Sequence, residues 1–172
     1  MIESEVIAHT AVHLIVKENF YIEKISISTI DQRRQAKEIF KMNGIEVSLI
    51  DKIDFHSNEE DIYGYYTFKQ GRPQKRLIVE AKGGNTYYNF YTMLGQFISQ
   101  KKSPSSYYWF AFALPISWRD KVKNYLTING EIKPVIHDII ERYTKSGQGL
   151  WFYFVKDNGE IVKETWKQAL QK

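Results

Sequence analysis

The stretch Arg76-Leu77-Ile78-Val79-Glu80-Ala81-Lys82-Gly83-Gly84 constrains the fold more than any other part of this chain, because an apolar run there ends in an acid, a spacer and a lysine. Leu77 to Val79 have the composition of a buried strand. Successive side chains on a strand point to opposite faces, so Glu80 and Lys82 are expected on one face at its end. Two charges closing an otherwise buried run cost desolvation, which a chain tolerates mainly where they are paired or do chemistry. The plain alternative is a solvated salt bridge at a strand end, worth little energetically.

Asp61 opens a second run, Asp61-Ile62-Tyr63-Gly64-Tyr65-Tyr66-Thr67-Phe68, rich in aromatic and β-branched residues. Between the two lies Lys69-Gln70-Gly71-Arg72-Pro73-Gln74-Lys75, whose Gly and Pro mark a turn. A hairpin folded over that turn brings Asp61 beside Glu80. Its register stays open, and in a shifted one Glu59 or Glu60 replaces Asp61. Two carboxylates and a lysine then converge. Mg²⁺ takes oxygen ligands, keeps several waters, and is commonly held by one or two carboxylates plus substrate phosphate.

This constellation resembles the PD-(D/E)xK nuclease superfamily, whose fold is restriction-endonuclease-like. The family order is a helix, antiparallel strands carrying Asp and then Glu-x-Lys, a helix often bearing Gln, and a further strand. Here Leu94-Gly95-Gln96-Phe97-Ile98 matches the glutamine helix and Tyr107 to Pro115 the following strand, so the likeness covers about residues 1–116. Two departures stand out: Glu60 precedes Asp61 where the family often has Pro, and Gln100 stands where some branches carry Tyr. The resemblance implies Asp61 and Glu80 as metal ligands, the Ala81 carbonyl as a third, Lys82 as the residue that orients water and steadies phosphate charge, and Gln96 as a positioning group. It also implies a first-helix glutamate at the site, with Glu5 the better placed and Glu3 behind it. The cofactor implied is Mg²⁺, with Mn²⁺ able to substitute.

The chain has 172 residues, enough for one domain with a real core, and 1–172 is expected to be a single unit. It has no cysteine, which excludes disulfide frameworks and thiolate zinc sites. No apolar stretch reaches the ~20 residues a membrane helix needs, and Met1 to Glu5 is acidic where a secretory signal is basic, so a cytoplasmic location without membrane contact is expected. The net charge of +4 and pI near 9.0 favour polyanionic partners modestly. Among the basic residues, Arg72 and Lys75 at the hairpin turn and Lys101 and Lys102 after the glutamine helix are the candidate phosphate contacts for DNA. Lysine-rich loops also serve plain solubility. Tyr87, Tyr88, Phe90 and Tyr91 suit a core better than base stacking.

Hydrophobic spacing predicts a first helix from about Ser4 to Glu18, a strand over Phe20 to Ile27, a helix over Asp31 to Met42 and a strand over Ile45 to Ile50. His9 and His13 on the first helix are given no catalytic role. Gly83 and Gly84 permit either close approach of a phosphate backbone or a tight exit from the strand. Tyr107 to Leu114 reads as a central strand covered on both faces. Pro134 starts a later helix, and Leu150 to Val155 and Glu160 to Val162 flank the turn Asp157-Asn158-Gly159. The expected architecture is α/β, a mixed central sheet flanked by helices on both faces.

The function expected on this basis is a Mg²⁺-dependent endonuclease hydrolysing DNA, with a homodimer or partner subunit because one small domain has little surface to read a site. The alternative is a non-catalytic DNA-binding accessory or excision-control protein on the same fold, against which the intact Asp61, Glu80 and Lys82 argue. A third reading is a protein-interaction domain with an incidental charge pair.

Overall fold

The computed structural model describes residues 1–56, 60–67, 75–84, 90–95, 108–144 and 149–171. In chain order these form α1 (Glu3–Glu18), β1 (Phe20–Ser26), α2 (Ile30–Met42), the single turn α3 (Val47–Ile50), β2 (Asp54–His56), β3 (Ile62–Tyr66), β4 (Lys75–Ala81) and helical residues 90–95, here α4. There follow β5 (Tyr108–Pro115), a 3-10 turn (Ile116–Trp118), α5 (Arg119–Leu126), the ribbon β6 (Thr127–Ile128) and β7 (Glu131–Ile132), α6 (Pro134–Thr144), β8 (Leu150–Val155), β9 (Ile161–Thr165) and α7 (Trp166–Gln171).

Seven strands make one mixed sheet in the order β2-β1-β3-β4-β5-β8-β9. β1, β3 and β4 are successively antiparallel, β4, β5 and β8 run parallel, and β9 returns antiparallel. The period of two sorts the central side chains between two cores. Leu77, Val79, Ala81, Ala111, Ala113 and Tyr153 face α1 and α2, while Ile78, Phe110, Phe112, Leu114, Phe152 and Phe154 join Phe90, Trp118 and Val122 on the other side. Both faces of β4, β5 and β8 are thus covered, which is why these strands read as nearly continuous apolar runs. The small residues matter on the first face. Ala8 and Ala11 of α1, fully buried, share a core with Ala81, Ala111 and Ala113, so the helix can lie close against the sheet. The phenylalanines of the second face each contribute roughly 1.5–3 kcal/mol by leaving water.

The long elements fall within a residue or two of their expected bounds, and the α/β class with a mixed sheet holds. Residues 45–50 do not form a strand. Alternation there would have buried Ile45, Val47 and Leu49 together, but the chain buries Ile45, Ile50 and Ile53 and leaves Val47 exposed, which a helical turn achieves. The edge strand comes later, at β2. The β6–β7 ribbon turns at Asn129 and Gly130, both at positive φ, as a two-residue hairpin requires.

Candidate active site

The site grows from the way the β3–β4 ladder ends. Ile62 pairs with Val79, and one step further sets Asp61 across from Glu80. Asp61 lies before β3 begins, and its side chain takes over the ladder from the backbone: the Ala81 N–H donates to Asp61 Oδ2 at 2.6 Å. The next amide, Lys82 N–H, points the other way and donates to the Ala113 carbonyl of β5 at 3.0 Å. The Asp61 carbonyl in turn accepts from Ser26 N–H at 3.0 Å, tying the site to β1. Asp61, Glu80 and Lys82 are 8%, 2% and 9% exposed, so three ionisable residues share the buried end of one strand pair. That burial separates them from the solvated salt bridge considered above.

Burial pushes the Asp61 carboxyl up to about 7, against the Lys82 charge and the Ala81 N–H, with the negative charge of Glu3 adding to the rise. The Lys82 ammonium lies 3.2 Å from Glu3 Oε2. The first-helix acid that meets the lysine is therefore Glu3, and the expectation for Glu5 is corrected. Glu5 sits three residues after Ile2 and accepts its N–H at 3.0 Å, the carboxylate half of a capping box, which turns it back onto the helix start. Glu3, the first helical residue, projects toward the strand exit.

The two glycines have a structural explanation. A Cβ on Gly83 would lie 2.3 Å from the Glu3 nitrogen, Gly84 has φ +72°, and Gly84 N–H donates to the Met1 carbonyl at 3.2 Å. The strand exit is packed directly on the start of α1, and Trp118 Nε1–H fastens it from the other core by donating to the Gly84 carbonyl at 2.6 Å. No local sequence pattern pointed to Trp118.

Of the remaining expected residues, Gln96, Arg72, Lys101 and Lys102 lie outside the described residues, as do Glu59, Tyr87 and Tyr88. Lys75 opens β4 and its ammonium stands 5.9 Å from the centroid of the Trp109 ring. Among the described residues no three of His, Cys, Asp and Glu gather into a set able to hold a metal ion by themselves. What Asp61, Glu80 and the Ala81 carbonyl offer is an all-oxygen, two-carboxylate donor set. Such a set fits a hard cation that keeps waters, and it does not fit zinc.

A partly buried, heavily hydrogen-bonded carboxylate was missed in the sequence. Glu18, the last residue of α1, accepts hydrogen bonds from Tyr66 (2.8 Å), Tyr153 (3.1 Å to the nearer oxygen) and Lys163 (2.8 Å), and His13 Nε2 lies 3.3 Å away. Burial alone would raise its pKa, but the bonds from His13, Lys163 and Tyr66 and the Lys163 charge outweigh it and hold it at about 2. A signal was available. An acid in the last turn opposes the helix dipole and needs compensation elsewhere.

Comparison of the chain with protein-family models, with curated proteins and with solved structures finds no match.

Proposed function

We propose that this protein is a Mg²⁺-dependent endonuclease of restriction-endonuclease-like fold that hydrolyses DNA phosphodiester bonds. The observation that carries the reading is the Asp61 carboxylate, buried at the exit of β4, engaged through one oxygen by the Ala81 N–H and set beside Glu80 and Lys82. A protein seldom buries two acids and a lysine at a strand end without a use for them. The succession of α1, the antiparallel β1, β3 and β4, helical residues 90–95 and the parallel β5 supports it, being the order the resemblance implies.

In this reading Asp61, Glu80 and the Ala81 carbonyl would hold the cation. When bound, Mg²⁺ would supply a water of lowered pKa and a positive charge against the negative charge that develops at the phosphate. The chain's own residues do the positioning. The Ala81 N–H fixes one oxygen of Asp61 and leaves Oδ1 without a hydrogen bond among the described residues. Lys82, held by Glu3 in the absence of substrate, has three donors for a scissile phosphate or its attacking water. The burial that raises the Asp61 pKa is the penalty a divalent cation would offset.

The test is incubation of the purified chain with linear, circular, branched and single-stranded DNA in Mg²⁺, Mn²⁺ or EDTA. Cleavage that needs metal and vanishes in Glu80→Ala is the expected result. DNA binding without cleavage in any metal would move the protein to the non-catalytic class.

A further inference from the structure

A cleft of about 690 Å³ lies beside α1, between its outer stripe and the β8–β9 turn. That volume falls within the range of small-ligand sites. Its lining combines an apolar bed, Val12, Val16 and Ile161, with a polar rim on which Lys17, Lys156 and the histidine His9 outnumber one carboxylate, Glu160. Lys17 makes no ion pair or hydrogen bond among the described residues. Lys156 lies 2.8 Å from Glu160, but both side chains are about half exposed or more, and such a pair is worth little and is readily exchanged for an anion. Apolar bed and cationic rim together suit a sugar and base joined to phosphate.

Two elements lead from the candidate active site to the cleft. α1 carries Glu3 against Lys82 and, six residues on, His9 at the cleft wall, a rise of roughly 9 Å. Across the sheet Ala81 pairs with Ala113 and Ala113 with Tyr153, so the ends of β4, β5 and β8 are level. Lys156 follows β8 directly, and β8 stands two strand spacings, roughly 10 Å, from β4. A chain of nucleotides leaving the scissile position can therefore run over the first turns of α1 into the cleft.

We infer that this cleft holds a single-stranded arm of the nucleic-acid substrate, with Lys17 and Lys156 on its phosphates and Val16 and Ile161 under its sugars and bases. The inference rests on the nuclease reading and names the form of DNA that site takes. Val16, 52% exposed, admits a larger side chain without touching the core, so Val16→Trp fills the cleft at constant charge.

The experiment is fluorescence anisotropy of a short labelled single-stranded DNA with the full chain in EDTA, comparing wild type with Lys17→Gln/Lys156→Gln, Val16→Trp and the control Lys52→Gln, an exposed lysine after α3. Thermal unfolding verifies that each is folded. Both cleft variants are expected to bind about tenfold more weakly or worse, the control within about twofold, and the salt slope of the double variant to flatten by about 1.4, two phosphates' worth. Wild-type affinity in either folded cleft variant overturns the inference. So does competition by a mononucleotide as effective as that of the unlabelled strand, which makes the cleft a nucleotide pocket. Parallel incubation in Mg²⁺ separates the two readings. Metal-dependent cleavage by wild type with unaltered binding by the variants removes the cleft and keeps the nuclease, whereas loss of binding in the variants without any cleavage removes the nuclease.

Discussion

At the C-terminal end of α1 the Glu18 carboxylate receives hydrogen bonds from Tyr66, Tyr153 and Lys163, with His13 beside it; at the exit of β4 the Asp61 carboxylate, more deeply buried, receives one among the described residues, from the Ala81 N–H. The surroundings drive the two acids in opposite directions, Glu18 down to about 2 and Asp61 up to about 7. Glu18 joins α1 to β3, β8 and β9 and is complete as it stands. Asp61 shares its corner with Glu80 and a lysine held by a half-exposed glutamate, and the cation proposed above would be its last partner. A satisfied carboxylate is a rivet, and an under-satisfied one is a candidate ligand.

The sharpest break between the regions lies in turnover. Glu80→Ala is expected to reduce metal-dependent cleavage at least on the order of 10³-fold while leaving DNA binding intact, because phosphate contacts are spread over many lysines and arginines. Glu18→Gln should leave cleavage unchanged. Single-turnover assays on both variants check the pair.

Next in size is Lys82→Gln, which keeps most of the length and removes the charge. If Lys82 steadies charge at the phosphate, the chemical step falls on the order of 10²-fold, with metal affinity unchanged or slightly raised. A mere partner for Glu3 would give at most about 1 kcal/mol of stability and no loss of turnover. Pre-steady-state cleavage beside thermal unfolding separates these outcomes.

Glu18→Gln should cost about 2 kcal/mol, since Lys163 and two tyrosine hydroxyls lose a charged acceptor. The sign follows from a depressed folded pKa: the contribution is complete above about 4.5 and is lost as pH falls toward about 2. Urea midpoints of wild type and variant should therefore converge across that interval.

An effect of opposite sign is expected at Asp61. A raised folded pKa means that stability is lost as pH rises from 3.8 toward about 7, the reverse of Glu18. In metal-free buffer Asp61→Asn should unfold at a temperature a few degrees higher than wild type at neutral pH. That gain should vanish near pH 4, and Mg²⁺ should restore wild type and leave the variant unmoved.

Much of this arrangement was legible because it is local. Leu77 to Ala81 read as a buried strand from five consecutive residues, and the hairpin brought Asp61 to Glu80 once the turn was placed. Pro134 and Asp157-Asn158-Gly159 marked their elements for the same reason. Residues 45–50 misled because a short apolar run fits a strand or a helical turn, and only the tertiary position of Ile53 decides. Glu3 and Glu5 could not be ranked without the capping bond from Ile2. The Glu18 cluster joins residues up to 145 positions apart, and the bond from Trp118 to Gly84 spans 34, so no sequence window contains either.

The central claim is that Asp61, with Glu80 beside it, and not the satisfied Glu18, takes a cation. Calorimetric titration of Mn²⁺ into metal-free protein at neutral pH tests it most directly, with wild type, Glu18→Gln, Asp61→Asn and Glu80→Gln side by side. Wild type and Glu18→Gln are expected to bind the ion alike, and Asp61→Asn and Glu80→Gln to lose most of that affinity. Equal binding by all four would contradict the account.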